Sequence, residues 1–599
     1  MTWDVRAKLP ASMNIQQVMN SALVHHQAGR LAEAEGLYRT ILAKAPDHPN
    51  ALHMLGVLAA QVGRNDLAVE LISKALRKTP DNAACYSNLG EAYRSLGQVD
   101  QAVTHFRRAL AIKSDYPEAH NNLGNALKGQ GLLDEAIACF QRALALRPDY
   151  PDAHNNLGNA FKDQGLLEDA IASYQRALAA RPDFIGAHSN LLFALQYSPD
   201  CSSQQLLQEA RRWNDRHALP LKGLIPRHSN DPDTGRRLRI GYVSPDFCAH
   251  ATTYGSSFAL LANHDHQHFD IYCYSGVPRP DDVTLRLRSF ADVWRNTVGL
   301  ADGQVAETIR NDRIDILVDL TMHMAHGRPL VFAAKPAPIQ VAWVAYPGTT
   351  GIDAIDYRLT DPFLDPAENH DEAYSEESIR LPESFWCYEP LDTEPAVNLL
   401  PARTSGHITF GSLNNFCKVN EGVVALWSQV LLAVPQSKLL LLSSHGQHRE
   451  RVLALFNANG IGADRIAWFT IASRPSYLAA YHQIDIGLDT FPYNGHSTSL
   501  DSFWMGVPVV TLVGETVVGR AGLCQAMNLD LPELVATSPG QYVQRAMDLA
   551  EDLPRLAALR ASLRQRMQDS PLMDGARFAR NVEAAYRQMW LRWCHKPGP

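Results

Sequence analysis

Small and large apolar residues recur in one phase through the first third of the chain. Gly56, Gly90, Gly124 and Gly158 share one interval, as do Ala34, Ala68, Ala102, Ala136 and Ala170, and as do Gly29, Gly63, Gly97, Gly131 and Gly165. Prolines close the units at Pro46, Pro80, Pro148 and Pro182, with Ser114 interrupting that series. The interval is about 34 residues, the period of a stacked helical hairpin. The first glycine and the alanine let two helices approach closely. The second glycine ends the first helix, Leu and Phe fill the seam, and proline stops the second helix. The pattern predicts about five tetratricopeptide-type helix pairs over residues 14–198, stacked into a right-handed superhelix with a concave face.

Beyond residue 198 the pattern changes. A helical linker covers 199–236 and ends in the polar break Arg227–Arg237. Short apolar runs then alternate with amphipathic helices. Strands are predicted at Leu238–Val243, Ile271–Tyr274, Ile316–Leu320, Gln340–Val344, Ile408–Phe410, Lys438–Leu442, Ile466–Phe469, Ile486–Leu488 and Val509–Leu512. Apolar strands between helices imply parallel α/β sheets. The span is too long for one sheet, so two Rossmann-like lobes are expected, at 237–400 and 401–540, joined near Pro395–Gly406. Amphipathic helices at 541–599 read as packing elements.

Composition narrows the function classes. The 599 residues are 46% hydrophobic and 20% charged, which excludes global disorder. A net charge of −8 gives no general electrostatic case for nucleic acid or an anionic membrane. The nine cysteines lack any Cys-x-x-Cys spacing, so they are expected as free thiols of a reducing compartment. Residues 1–10 show no apolar leader, and no run reaches the ~18 apolar residues of a membrane span. A cytoplasmic protein is expected. No Gly-x-Gly-x-x-Gly follows the first strand and no Walker A lysine occurs, which argues against nicotinamide dehydrogenases and P-loop NTPases.

Ligands of open α/β sheets bind beyond the carboxyl ends of strands. Four polar clusters are predicted there: Ser244–His250, Asp319–His323 with Arg328, Phe410–Lys418, and Asp489–Asp501. In the last, a strand leads through a Pro/Gly turn to Ser497-Thr498-Ser499, where hydroxyls and free N–H groups of a helix start suit a diphosphate. His496 is expected as a further donor, Asp501 as an acceptor from ribose hydroxyls, and Lys418 as the charge on the leaving phosphate. Plain helix capping is the competing account of this cluster. Asp246 and His250 form a weaker pair, crowded with Ser and Thr in one loop. His264-Asp-His266-Gln-His268 has a metal-like look but is expected to be a solvated turn. In the array, Asn88, Asn122, Asn156 and Asn190 recur on the first helix of each unit. Such amides can donate and accept along an extended polypeptide, or serve only between repeats.

These residues carry a resemblance that covers nearly the whole chain. The order is the repeat array, Gly241-Tyr-Val-Ser-Pro-Asp-Phe-x-x-His250, Pro338-Ile-Gln-Val-Ala-Trp-x-x-Tyr346-Pro-Gly-Thr-Thr-Gly, Asn414-Asn-x-x-Lys418, Asp489-Thr-x-Pro-Tyr-Asn-Gly-His-Ser-Thr, and Gly514-Glu-Thr. It resembles the bacterial O-linked N-acetylglucosamine transferases, with the plant SPINDLY protein O-fucosyltransferases as cousins. The resemblance implies a metal-independent, inverting glycosyltransferase of the GT-B fold, without cofactor, acting on Ser or Thr of proteins bound by the array. It implies that His250 is the base or an acceptor-side residue, that Lys418 stabilises the leaving diphosphate, and that Asn415 lies on that phosphate. It also implies that His496, Ser497 and Thr498 bind the diphosphate and that Asp501 binds the ribose. Arg474 and Tyr477 fall where the animal enzymes place a ribose-binding lysine and a base-stacking histidine, and Ala480 where they have an arginine near uracil. His496 and Asp501 side with UDP-sugar users. The competing readings are a GDP-fucose transferase, a scaffold that binds a nucleotide sugar without turnover, and a transferase acting on a glycan or small molecule.

Overall fold

The computed structural model describes residues 14–225, 227–367, 371–390 and 395–595. Residues 1–10, read above for a leader, lie outside the described residues. The chain forms two compact units, one ending at Phe161 and the other beginning at Lys162.

The first unit is a ladder of helical hairpins. Its helices are Ile15–Gln27, Leu31–Lys44, Pro49–Gln61, Asn65–Lys78, Ala83–Ser95, Val99–Ile112, Pro117–Gly129 and Leu133–Leu146, and Pro151–Asp163 opens the next hairpin. A Cβ on Gly90 or Gly124 would come within 2.8 or 2.6 Å of the Phe106 or Phe140 ring, so only glycine permits this helix approach. Gly63 and Gly97 lie in open space but at φ +78° and +77°, so the left-handed turn selects them instead. The helices before Pro46, Pro80 and Pro148 each end in a residue outside the helical region. Val99–Ile112 ends in the same way before Ser114, so the stop does not require proline.

The second unit begins within the array, not after it. Helices Leu167–Ala180 and Ile185–Leu195 are built into the α/β part. Arg451 donates to the Gln164 carbonyl at 2.5 Å, Tyr197 stacks on Tyr493 at 4.7 Å, and Phe193 packs on Tyr346 at 5.7 Å. Next comes a seven-stranded parallel sheet. Its strands are β1 (Leu238–Ser244), β2 (Phe269–Ser275), β3 (Val293–Asn296), β4 (Ile316–Asp319), β5 (Ile339–Ala342), β6 (Tyr357–Thr360) and β7 (Glu377–Arg380), in the order 3-2-1-4-5-6-7. A second parallel sheet holds β8 (Thr409–Ser412), β9 (Lys438–Leu442), β10 (Ile466–Phe469), β11 (Ile486–Leu488), β12 (Val509–Leu512) and β13 (Val535–Ala536), in the order 10-9-8-11-12-13. Each sheet reverses its order beside its first strand, and the crevice at that point takes ligands in such folds. All nine predicted strands are present. The sequence pattern does not show β3 and β7, which are polar edges, β6, which buries Arg358 against Asp365 at 2.5 Å, or the two-residue edge strand β13. Among the described residues no helix is long and apolar enough to cross a membrane.

The C-terminal helix Gly575–His595 straps the first lobe. Glu583 accepts from His264 Nδ1 at 2.8 Å, and Tyr242 lies between His264 (2.8 Å) and Tyr586 (3.2 Å). His264 is therefore a buried anchor, a correction to the solvated turn expected for its cluster. His266 and His268 do remain exposed, paired with Asp292 and Asp265. The Tyr346–Gly351 segment is also a packing device. Thr349 and the Thr350 amide bind the buried Glu376 carboxylate at 2.7 Å each. Gly351 has φ +75°, and a Cβ there would lie 2.4 Å from the Ala210 carbonyl. Gly351→Ala should therefore lower the thermal midpoint of the second unit, since the backbone conformation alone costs about 1–3 kcal/mol before any overlap. Calorimetry on the variant checks this, and an unchanged midpoint would refute it.

Candidate functional site

Both switch points carry the predicted polar loops. In the second lobe, β8 runs into a tight turn, Phe416–Lys418. Lys418 Nζ donates to the Asn494 carbonyl at 2.6 Å and to Asn414 Oδ1 at 3.2 Å, and lies 4.4 Å above the Tyr493 ring. Burial pushes this ammonium down to about 8, although the Asp489 charge favours it. Asp489 ends the β11 strand and orders the loop after it. Its carboxylate accepts from the amides of Thr490 (2.9 Å) and Gly495 (2.6 Å) and from the Thr511 hydroxyl (2.8 Å), while burial raises it to about 6. A Cβ on Gly495 would lie 2.2 Å from Ser499 Oγ, so the loop closes only on glycine.

The loop delivers His496 to the start of helix Ser497–Trp504. His496 stacks on Tyr493 (4.6 Å) and packs against Trp386 (5.1 Å). Burial, and then the Lys418 charge, push it down to about 3, so the ring is neutral. Its Nε2–H is directed at the Val518 carbonyl at 3.3 Å. That carbonyl takes the N–H that was expected to serve a phosphate. The helix start has no side-chain cap, so capping does not account for this polar cluster. Ser497 Oγ donates to the Ala251 carbonyl at 3.2 Å, which joins the helix start to the loop holding His250. The Thr498 carbonyl accepts from Tyr481.

Asp501, one turn into this helix, is buried and fully engaged. Arg474 grips it through two nitrogens at 2.6 and 2.8 Å, and Tyr388 donates to it at 2.9 Å. Arg474 also lies over the rings of Tyr254 (5.0 Å) and Tyr477 (5.6 Å). Tyr477 is buried, and its hydroxyl meets that of Tyr481 at 3.0 Å. Asn415 is exposed, and its side chain caps the Cys417 amide at 3.3 Å. Its neighbour Asn414 is the one that meets Lys418. In the first lobe, His250 Nδ1 lies 2.9 Å from Thr252 Oγ1 and 3.8 Å from the Asp246 carboxylate, which burial raises.

Thus His250, Asp246, Lys418, His496, Ser497, Thr498, Asp501, Arg474 and Tyr477 all lie in loops and helix starts of the second unit. The asparagine series is tied within the array. Asn88 meets His53 at 2.8 Å, Asn156 donates to Asn121 at 2.9 Å, and Asn121 donates to Asn122 at 3.4 Å. Asn190 belongs to helix Ile185–Leu195 of the second unit. The predicted polar pair His323 and Arg328 is structural. His323 bonds the Thr350 carbonyl (2.7 Å) and Ser189 (3.2 Å), and Arg328 bonds the carbonyls of Leu300 and Thr297 (2.9 Å each). The sequence reading missed Trp386, Tyr388, Tyr254 and the ordering role of Asp489, and it gave a role to Asn415 where Asn414 is the amide that meets Lys418. The aromatic run Phe385-Trp386-Cys387-Tyr388 was the available signal. Among the described residues no three His, Cys, Asp or Glu side chains gather as a metal-holding group.

Residues 224–391 and 399–582 match the model of Glycosyl transferase family 41, and tetratricopeptide-repeat models match 25–89, 90–131 and 121–183. A probable UDP-N-acetylglucosamine–peptide N-acetylglucosaminyltransferase SPINDLY of Petunia hybrida is 38% identical over 67% of this chain and 44% of its own. The probable transferase SEC of Arabidopsis thaliana is 32% identical over 61% and 38%. The chain spans less than half the length of these curated relatives. A solved mutant of the Thermobaculum terrenum O-GlcNAc transferase superposes with a TM-score of 0.81 at 36% identity, covering 86% of this chain and 98% of that one.

The Arg474–Asp501 grip yields a prediction of its own. Arg474→Ala strands a buried carboxylate and should cost about 3–5 kcal/mol, the range for breaking a buried pair, reduced by the partial exposure of the arginine. Tyr388→Phe removes one bond to a charge and should cost about 1.5–3 kcal/mol. Melting curves rank the two, and a harmless Arg474→Ala would show that the pair holds nothing.

Proposed function

The chain belongs to glycosyl transferase family 41, and from that premise we propose that it transfers a sugar from a nucleotide-diphosphate donor, UDP-N-acetylglucosamine first among the candidates, to Ser or Thr hydroxyls of polypeptides. The observation that carries this reading is Lys418, a half-buried ammonium at the second switch point, beside an uncapped helix start. Negative charge on the diphosphate grows as the glycosidic bond breaks, and a preformed cation in a water-poor pocket favours that state over the ground state. The N–H groups of Ser497 and Thr498 add donors on the same side. The acceptor hydroxyl attacks the anomeric carbon in line, giving inversion. His250, with Asp246 behind it, takes the hydroxyl proton, a contribution of about 10²–10⁴-fold. In this reading no metal or cofactor is needed, because the chain's own donors neutralise the leaving group. Arg474, Tyr477 and Asp501 hold the nucleoside, and Asn415 stays near the phosphate at the rim of the turn. The repeat array carries the polypeptide.

Lys418→Ala should lower kcat by about 10²–10³ with the fold intact. The charged form binds a diphosphate more tightly than the neutral one. Wild-type UDP affinity should therefore fall as pH rises through about 8 and the lysine loses its proton, approaching the level of Lys418→Ala. The Lys418→Ala profile should be weaker and flat. Calorimetric titration with UDP across this range tests the assignment, and matching profiles would remove Lys418 from the site. Tighter binding of GDP than UDP would overturn the donor.

The array makes a separate prediction. Asn122→Ala with Asn156→Ala should raise KM for protein acceptors, at about 0.5–1.5 kcal/mol per lost bond, and leave donor hydrolysis by water unchanged. If KM is unchanged while the melting point falls, the amides serve only between repeats.

A further inference from the structure

The first lobe holds a cavity of about 690 Å³ at its own switch point, beyond the ends of β1 and β4. Asp246, Asp302, Asp319, Thr321, His326 and Arg328 are among its walls. Asp319 is 1% exposed, as is Thr321. One Asp319 oxygen accepts from the amides of Thr321 (2.9 Å) and Met322 (2.8 Å). Its other oxygen and the Thr321 hydroxyl have no hydrogen-bond partner among the described residues. A buried polar atom left without a partner costs stability, so this floor is built for an incoming donor.

The charge balance selects that donor. Arg328 is already taken by the Leu300 and Thr297 carbonyls and by Asp302 at 3.0 Å. Among the described residues the cations facing Asp246 are His250, 3.8 Å away, and exposed His326 at the rim. The cavity thus presents two carboxylates, Asp246 and Asp319, without a cation in contact. An anion is repelled there, and a neutral polyol leaves the charge standing. A cation removes it, through hydrogen bonds roughly twice as strong as neutral ones. A planar guanidinium can donate to a carboxylate oxygen and a hydroxyl at once, which an ammonium does less well. Asp246 is shared with the loop of His250, so a side chain in this cavity enters beside the acceptor hydroxyl.

We propose that this cavity binds an arginine side chain of the acceptor polypeptide, close in sequence to the modified Ser or Thr. The assignment rests on the protein-acceptor reading above. Burial raises both carboxylates, Asp319 to about 6, as expected for acids that lack a cation until one arrives.

Calorimetric titration of the full chain with N-acetyl-L-argininamide and its neutral isostere N-acetyl-L-citrullinamide tests the cavity apart from turnover. The arginine compound should bind about tenfold or more tighter, and Asp319→Asn should abolish that difference while UDP affinity stays within about twofold. Thr321→Val, which leaves the Asp319 turn intact, should reduce the difference severalfold if Asp319→Asn does not fold. Equal binding of the two compounds, no binding of either, or a preference that survives both substitutions overturns the proposal. A degenerate pool of Ser peptides with UDP-N-acetylglucosamine supplies the other arm. Wild-type products should be enriched in arginine near the modified Ser, and Asp319→Asn products should not. Arginine binding without transfer to any peptide would sink the transferase reading and leave the cavity assignment standing.

Discussion

An ammonium group removed from water has to be met by oxygens and π faces, and the second lobe is arranged around that requirement at Lys418. Among the described residues no carboxylate pairs with it. Asp489 acts from a distance, with its oxygens bound to Thr490, Gly495 and Thr511. Contact comes from the Asn494 carbonyl and the Tyr493 face. Asn494 is held in turn by its own side chain on the Thr490 carbonyl at 2.8 Å. Tyr493 is backed by Tyr197, just past the last repeat helix. The final repeat, the Asp489 loop and the lysine therefore pack as one body, which is why the second compact unit begins at Lys162 and not beyond the array.

The two lobes meet through polar contacts of similar economy. Ser497 reaches the Ala251 carbonyl, and Tyr388 reaches Asp501. Arg520 donates to the Phe363 carbonyl at 3.0 Å. Arg474 closes the set by gripping Asp501 while lying over Tyr254. An aspartate expected from sequence as an acceptor for sugar hydroxyls is thus also the hub of an ion pair. Any nucleoside that uses it has to share it with Arg474.

Polar residues in the loops divide between chemistry and scaffolding, and residue type does not tell the two apart. His323 and His250 both follow strand ends. One is buried against Ser189 and the Thr350 carbonyl, and the other is half exposed beside Asp246. The Tyr346–Gly351 segment, which carried part of the resemblance, holds Glu376 and admits the Ala210 backbone. His264 is a buried anchor within a run of otherwise exposed polar residues. In each case the deciding fact is which distant segment packs over the side chain.

The repeat period, the alternation of strands with helices and the four loop clusters were legible in the sequence because each depends on local spacing. Glycine at a left-handed turn, alanine at a helix crossing and apolar runs in a buried parallel sheet are constraints acting within a few residues. Lys418, His250 and the Asp489–Asp501 run could be placed at strand ends for the same reason. Tertiary structure alone decided what those side chains face. It set Asn414 and not Asn415 against the lysine, turned the His496 N–H to Val518, and filled Asp501 with Arg474 and Tyr388. It also split the array at Phe161 and left Asp319 with an open oxygen. Those outcomes depend on burial and on partners as far as 113 residues away, and no local pattern encodes them.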